Sequence, residues 1–91
     1  MSAPVELASG GSGEAVAWAG EVLSLVLPRA FAPGAPIAFS IALEGGALSL
    51  SGKTVGSKRR ADGRFDVRVR LLNLRREERA RLEALAPARR D

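Results

Sequence analysis

Lys58, Arg59, Arg60, Arg64, Arg68 and Arg70 put six cations into one short stretch of a 91-residue chain. Groups of this kind hold anions: the arginine fork matches a carboxylate or a phosphate in two hydrogen bonds, and lysine acts as a point charge. If the residues around them form a hairpin, the six line up as a ridge on one outer face, a docking surface for an acidic protein whose association would be fast and salt-dependent. The bland use of the same charges is a solvated exterior that keeps the molecule soluble. Asp62 and Asp66 stand too far from other carboxylates to form a paired acid–base site, so their expected work is turn formation and neutralisation of neighbouring arginines.

Other chemistry is removed by composition. The chain contains no cysteine and no histidine, which excludes disulfides, thiolate metal sites and Ser-His or Cys-His catalysis. No catalytic residue, metal site or cofactor is expected, and the reading is of a protein that is not an enzyme. Charge is also segregated along the chain. Before residue 51 the only basic residue is Arg29, against Glu6, Glu14, Glu21 and Glu44, and the other thirteen cations follow. That asymmetry predicts an anionic partner for the C-terminal half, whether nucleotide, nucleic acid, lipid or an acidic protein face. Single-strand binders on barrels add exposed aromatics for base stacking. Here only Trp18, Phe31, Phe39 and Phe65 are available, and Phe39 and Phe65 fall in apolar registers, so nucleic acid is the weaker use. Trp18 is expected in the core.

The elements that must position the cations are mostly strands. Ile37, Phe39, Ile41 and Leu43 alternate with Ala38, Ser40 and Ala42, the two-residue period of a half-buried strand. Glu44-Gly45-Gly46 supplies a turn, and the return strand runs from Ala47 to about Lys58, with Gly52 and Gly56 as expected bulges or bends. After a turn at Arg60-Ala61-Asp62-Gly63, Phe65, Val67, Val69 and Leu71 alternate with Arg64, Asp66, Arg68 and Arg70, which points the apolar side inward and the arginines out. Earlier, Ala15 to Trp18 and Val22 to Leu27 read as strands around a bend at Ala19-Gly20, and proline-rich Pro28 to Pro36 as an irregular crossing anchored by Phe31. Asn73 is the expected N-cap of a final amphipathic helix with Leu74, Leu82, Leu85 and Ala86 on one side, ended by Pro87.

The fold predicted is therefore mainly β: a small antiparallel barrel of about five to six strands with one C-terminal helix over an opening or edge. A single domain is expected over residues 14–87, preceded by a flexible leader at 1–13 and followed by a tail at 88–91. Met1 to Gly13 lacks a basic region followed by an apolar core, and no run is long enough to cross a bilayer as a helix, so a cytoplasmic location without membrane insertion is expected.

Three stretches resemble the PilZ domain family. Phe31-Ala32-Pro33-Gly34-Ala35-Pro36-Ile37 is similar to the family's loop of apolar residue, Pro-Gly and strand; Leu48 to Gly56 resembles its strand reading apolar, Gly, charged, Val; and Phe65 to Leu74, followed by Glu77-Glu78-Arg79 and Leu82, resembles its strand running into a Glu- and Arg-rich helix. The resemblance implies a regulatory or adaptor domain in bacterial cyclic di-GMP signalling, acting on motility, pilus or surface behaviour. The family's nucleotide motifs, Arg-x-x-x-Arg before the barrel and Asp/Asn-x-Ser-x-x-Gly in its early strands, have no counterpart: nothing before Arg29 is basic, and Ala15 to Gly20 would keep only the glycine. The family's usual ligand grip is thus not expected. An alternative is a direct cyclic di-GMP receptor built on Arg59, Arg60, Arg64 and Arg68, and a second is a basic barrel that binds RNA or DNA.

Overall fold

The computed structural model describes residues 3–19, 21–43, 45–72 and 74–83. Among these residues six strands and a helix follow in chain order: β1 Ala3–Leu7, β2 Ser12–Ala19, β3 Val22–Leu27, β4 Pro36–Leu43, β5 Gly46–Arg59, β6 Phe65–Leu71 and α1 Arg76–Leu82. Every strand pairing is antiparallel, and the sheet closes on itself in the order β1-β2-β3-β6-β5-β4. The antiparallel barrel with a terminal helix expected from the sequence is the fold observed.

Alternation decides which side of each strand faces in. Val5 and Leu7, Leu23, Leu25 and Leu27, Ile37, Phe39 and Ile41, and Val67, Val69 and Leu71 fill the interior together with Trp18 and Leu50. Leu27, Leu71 and the strands between them thus form one continuous apolar filling, the dominant favourable term for a domain of this size. Among the described residues Thr54 is the buried polar exception: it is 3 % exposed, faces Val69 in register, and its Oγ1 has no hydrogen-bond partner among them.

The stretch read as a mobile leader requires correction in its first strand. Ala3, Val5 and Leu7 are buried, Pro4 and Glu6 exposed, and the strand pairs with β2 on one side and with Phe39, Ser40 and Ile41 of β4 on the other. Five residues of alternation were outweighed in the sequence by the glycine- and serine-rich run behind them, which serves instead as a tight hairpin connection: Leu7 N–H donates to Gly11 O and Gly10 N–H to Leu7 O. β1 is the strand that closes the barrel.

Two glycines allow the small cylinder to bend. A Cβ on Gly13 would lie 2.1 Å from Val26 O, and one on Gly52 would lie 2.3 Å from Arg70 O, so in both places neighbouring backbones approach as only glycine permits. Gly52 is therefore a close-approach position and not a bulge. The bulges fall one strand pair apart, between Ala15 and Ala17 on β2 and between Thr54 and Gly56 on β5. At the second, Val55 is turned to solvent.

Pro28 to Ala35 form the irregular crossing expected, held by a two-way contact in which Phe31 N–H donates to Ser57 Oγ at 2.9 Å and the same hydroxyl donates to Phe31 O at 2.7 Å. Phe31 packs against the core edge, and the Arg29 guanidinium lies 5.3 Å from its ring centroid. At the opposite end of the barrel, α1 inserts Leu82, fully buried, into the core. Arg79 pairs with Glu21 at 3.3 Å and Arg81 donates to Gly46 O, so the helix is tied to the β2–β3 and β4–β5 connections. Its cap position is Arg75, whose N–H donates to the Glu78 carboxylate at 3.0 Å. Asn73, expected there, lies outside the described residues, as do Gly20, Glu44, Leu85, Ala86, Pro87 and the 88–91 tail.

Candidate functional site

β5 and β6 form the hairpin on which the cationic ridge was expected, and their register divides it in two. Around the turn, arginine meets carboxylate. Arg60 pairs with Asp66 at 2.8 Å and with Asp62 at 3.5 Å, and the hydrogen bond it donates to the Asp66 carboxylate holds the Arg60 guanidinium above its ordinary range. Asp62 accepts from Arg64 N–H at 2.9 Å, and this bond, ahead of the nearby arginines, holds its carboxyl below the ordinary value. Arg64 itself reaches Glu14 on β2 at 4.0 Å. Asp62 and Asp66 thus take the turn-forming and neutralising roles read from the sequence.

Further along the hairpin the carboxylates run out. On the outer face Lys53 stands directly opposite Arg70, and Arg68 opposite Gly56; all three cations are exposed and none has an ion pair among the described residues. Like charges in directly opposed positions destabilise a sheet, so Lys53 and Arg70 face each other at a cost that an external anion would offset. Lys58, opposite Asp66, extends the same face toward the turn, whereas Arg59, opposite Phe65, falls on the alternate side of the strand and is exposed at its end. The pairing of Lys53 with Arg70 depends on the β5 bulge between Thr54 and Gly56, which falls where Gly56 was expected to mark a bulge or bend.

The register continues the row across the barrel. Arg70 lies beside Val22 and Arg68 beside Ser24 on β3, and Ser24 beside Ala17 on β2. A row of Ala17, Ser24 and Gly56 therefore crosses four strands with one long side chain in it, Arg68. The result is a groove of about 480 Å³ lined by Val16, Ala17, Ser24, Gly56, Ser57, Lys58, Asp66 and Arg68. One bulge lies at either side of it, because each extra residue bends its strand away from the mean surface. A Cβ on Gly56 would sit 3.7 Å from Arg68 Nη2, which shows the guanidinium lying over the glycine.

The residues proposed as a nucleotide grip do not converge. Arg60 and Arg64 meet across the turn through Arg60 N–H and Arg64 O at 2.7 Å, but both guanidiniums are paired with carboxylates. Arg68 lies four residues beyond Arg64, roughly 13 Å along an extended chain. Arg59 is opposite Phe65. The aromatic residues are spent on the interior: Trp18 and Phe39 are buried, and Phe31 and Phe65 are packed against the core. Among the described residues there is no group of three or more His, Cys, Asp and Glu able to hold a metal ion, and no helix long and apolar enough to cross a membrane.

Fold and site together define a small closed antiparallel barrel, stoppered by one helix and cationic on the face of a single hairpin. Its architecture is consistent with a PilZ-like fold at the level of strand number and terminal helix. No family model matches the chain, and neither a curated protein nor a solved structure is similar to it at a significant level.

Proposed function

We propose that this chain is a non-catalytic adaptor domain that binds an acidic surface of another protein through the outer face of β5 and β6. The observation that carries the reading is the opposed pair Lys53 and Arg70, with Arg68 beside it, exposed and without carboxylate partners among the described residues. A face that merely kept the molecule soluble would gain from mixing signs, as the turn end of the same hairpin does with Asp62 and Asp66. Charge concentrated on one surface accelerates and orients encounter with an acidic partner. The sequence resemblance to PilZ domains, together with a barrel of the same general form, supports placing that encounter in bacterial cyclic di-GMP-linked signalling, in the cytoplasm. Direct nucleotide binding is disfavoured by the paired state of Arg60 and Arg64.

Calorimetric titration with cyclic di-GMP, using GMP as the control for unspecific attraction, separates the readings. The adaptor reading expects no saturable heat with either. It also expects that a protein retained by the wild-type chain at low salt is lost from a variant carrying Arg68→Glu and Arg70→Glu. Saturable micromolar binding of cyclic di-GMP alone would replace the adaptor by a nucleotide receptor.

A further inference from the structure

The groove beside the cations has a chemistry of its own. Its cationic side is Arg68 and Lys58, whereas Val16, Ala17 and Gly56 give it apolar and small surface at the two bulges. Asp66, the carboxylate in its lining, stands opposite Lys58 and is engaged by Arg60 at 2.8 Å; among the described residues neither Lys58 nor Arg68 forms an ion pair with it. Val55, exposed at the β5 bulge, adds apolar surface next to Gly56. The volume of about 480 Å³ falls within the range of roughly 300–1,000 Å³ usual for binding clefts.

Building on the adaptor reading, we propose that this groove seats one apolar side chain of an acidic segment from the partner protein, while Arg68 and Lys58 take the carboxylates on either side of it. Charge complementarity selects an acidic occupant, and the apolar bulges select one that also carries a hydrophobic residue. A free phosphate would satisfy the cations and leave Val16 and Ala17 uncovered. A nucleobase would find no aromatic face, since Trp18 and Phe39 are in the core. Strand addition is not open to the segment here, because β2, β3, β6 and β5 are already paired to one another. The binding is by side chains: an apolar anchor at the centre and charge-assisted hydrogen bonds at the rim, the arrangement typical of energetic centres in interfaces.

The test uses the full chain labelled with ¹⁵N and three probes: a pentaglutamate peptide, the same peptide with leucine at its centre, and inorganic phosphate. The expected result is that the leucine peptide shifts the amide signals of Val16, Ala17, Ser24, Gly56 and Arg68, and binds at least about fivefold tighter than pentaglutamate, from partial burial of the leucine. Ala17→Arg, which fills the groove while adding charge, should abolish that preference. Arg68→Glu should weaken both peptides. Equal affinities with shifts on the β5 and β6 face overturn the seat and leave the adaptor reading standing, whereas shifts confined to the helix arginines overturn both. No shift by either peptide, or a response to phosphate alone, overturns both.

Discussion

Thr54 stands inside the barrel opposite Val69, 3 % exposed, with a hydroxyl that has no partner among the described residues. Replacing it by valine keeps the branched shape and exchanges the hydroxyl for a methyl. Removing a buried, unsatisfied polar group recovers a desolvation penalty of about 1–3 kcal/mol, and the new methyl adds burial worth about 0.8 kcal/mol where it fits. Taking the lower end to allow for imperfect packing, Thr54→Val should stabilise the domain by about 1–2 kcal/mol. For a chain of this length each kcal/mol raises Tm by about 4–8 °C, so the shift is readily measured. Thr54→Ser makes the control, keeping the hydroxyl and deleting the methyl, and should destabilise by about 1 kcal/mol. Urea unfolding followed by the fluorescence of Trp18, which is buried, gives both numbers with a check that the slope is unchanged. A valine variant less stable than wild type would show that the hydroxyl is satisfied, and would refute the reasoning.

Gly52→Ala forces a Cβ to 2.3 Å from Arg70 O, whereas the nearest atom at Gly56 is 3.7 Å away on a flexible arginine. The first should cost about 3 kcal/mol and the second less than about 1 kcal/mol, compared by the same urea titration. Leu82→Ala should lose about 2–5 kcal/mol, and because seven residues of helix are not stable alone, amide exchange in α1 should rise beyond that of the barrel strands. The Asp62 carboxyl has a folded pKa below its ordinary value. Its contribution is therefore present above about pH 4 and lost as pH falls through the folded value; an NMR titration should place that carboxyl below the Asp62 value of the urea-unfolded chain, and Asp62→Asn should flatten stability against pH in this acid range.

Strands with strict alternation were legible in the sequence. Phe65 to Leu71 and Ile37 to Leu43 fall where spacing put them, and the turn role of Asp62 follows from its place before Gly63. β1 was not, because three inward side chains, Ala3, Val5 and Leu7, are too weak a signal until β2 and β4 are there to receive them. The candidate surface was half legible. Local alternation turns Arg68 and Arg70 outward, and the structure agrees, but whether a charge is neutralised depends on neighbours far along the chain, as with Arg64 and Glu14. The groove was invisible because it is made by two bulges on strands that are not neighbours, with β3 and β6 between them on that wall.

The ring order of the strands gives the charge segregation of the sequence a direction in space. β1 and β6 are three places apart in a ring of six, so Glu6 and the pair Arg68 and Arg70 lie on opposite walls of the cylinder. These charges therefore contribute an electric dipole component across the width of the domain, perpendicular to the barrel axis. In the field of an acidic surface such a body feels a torque as well as a pull, and it turns its β6 wall forward before any contact is made.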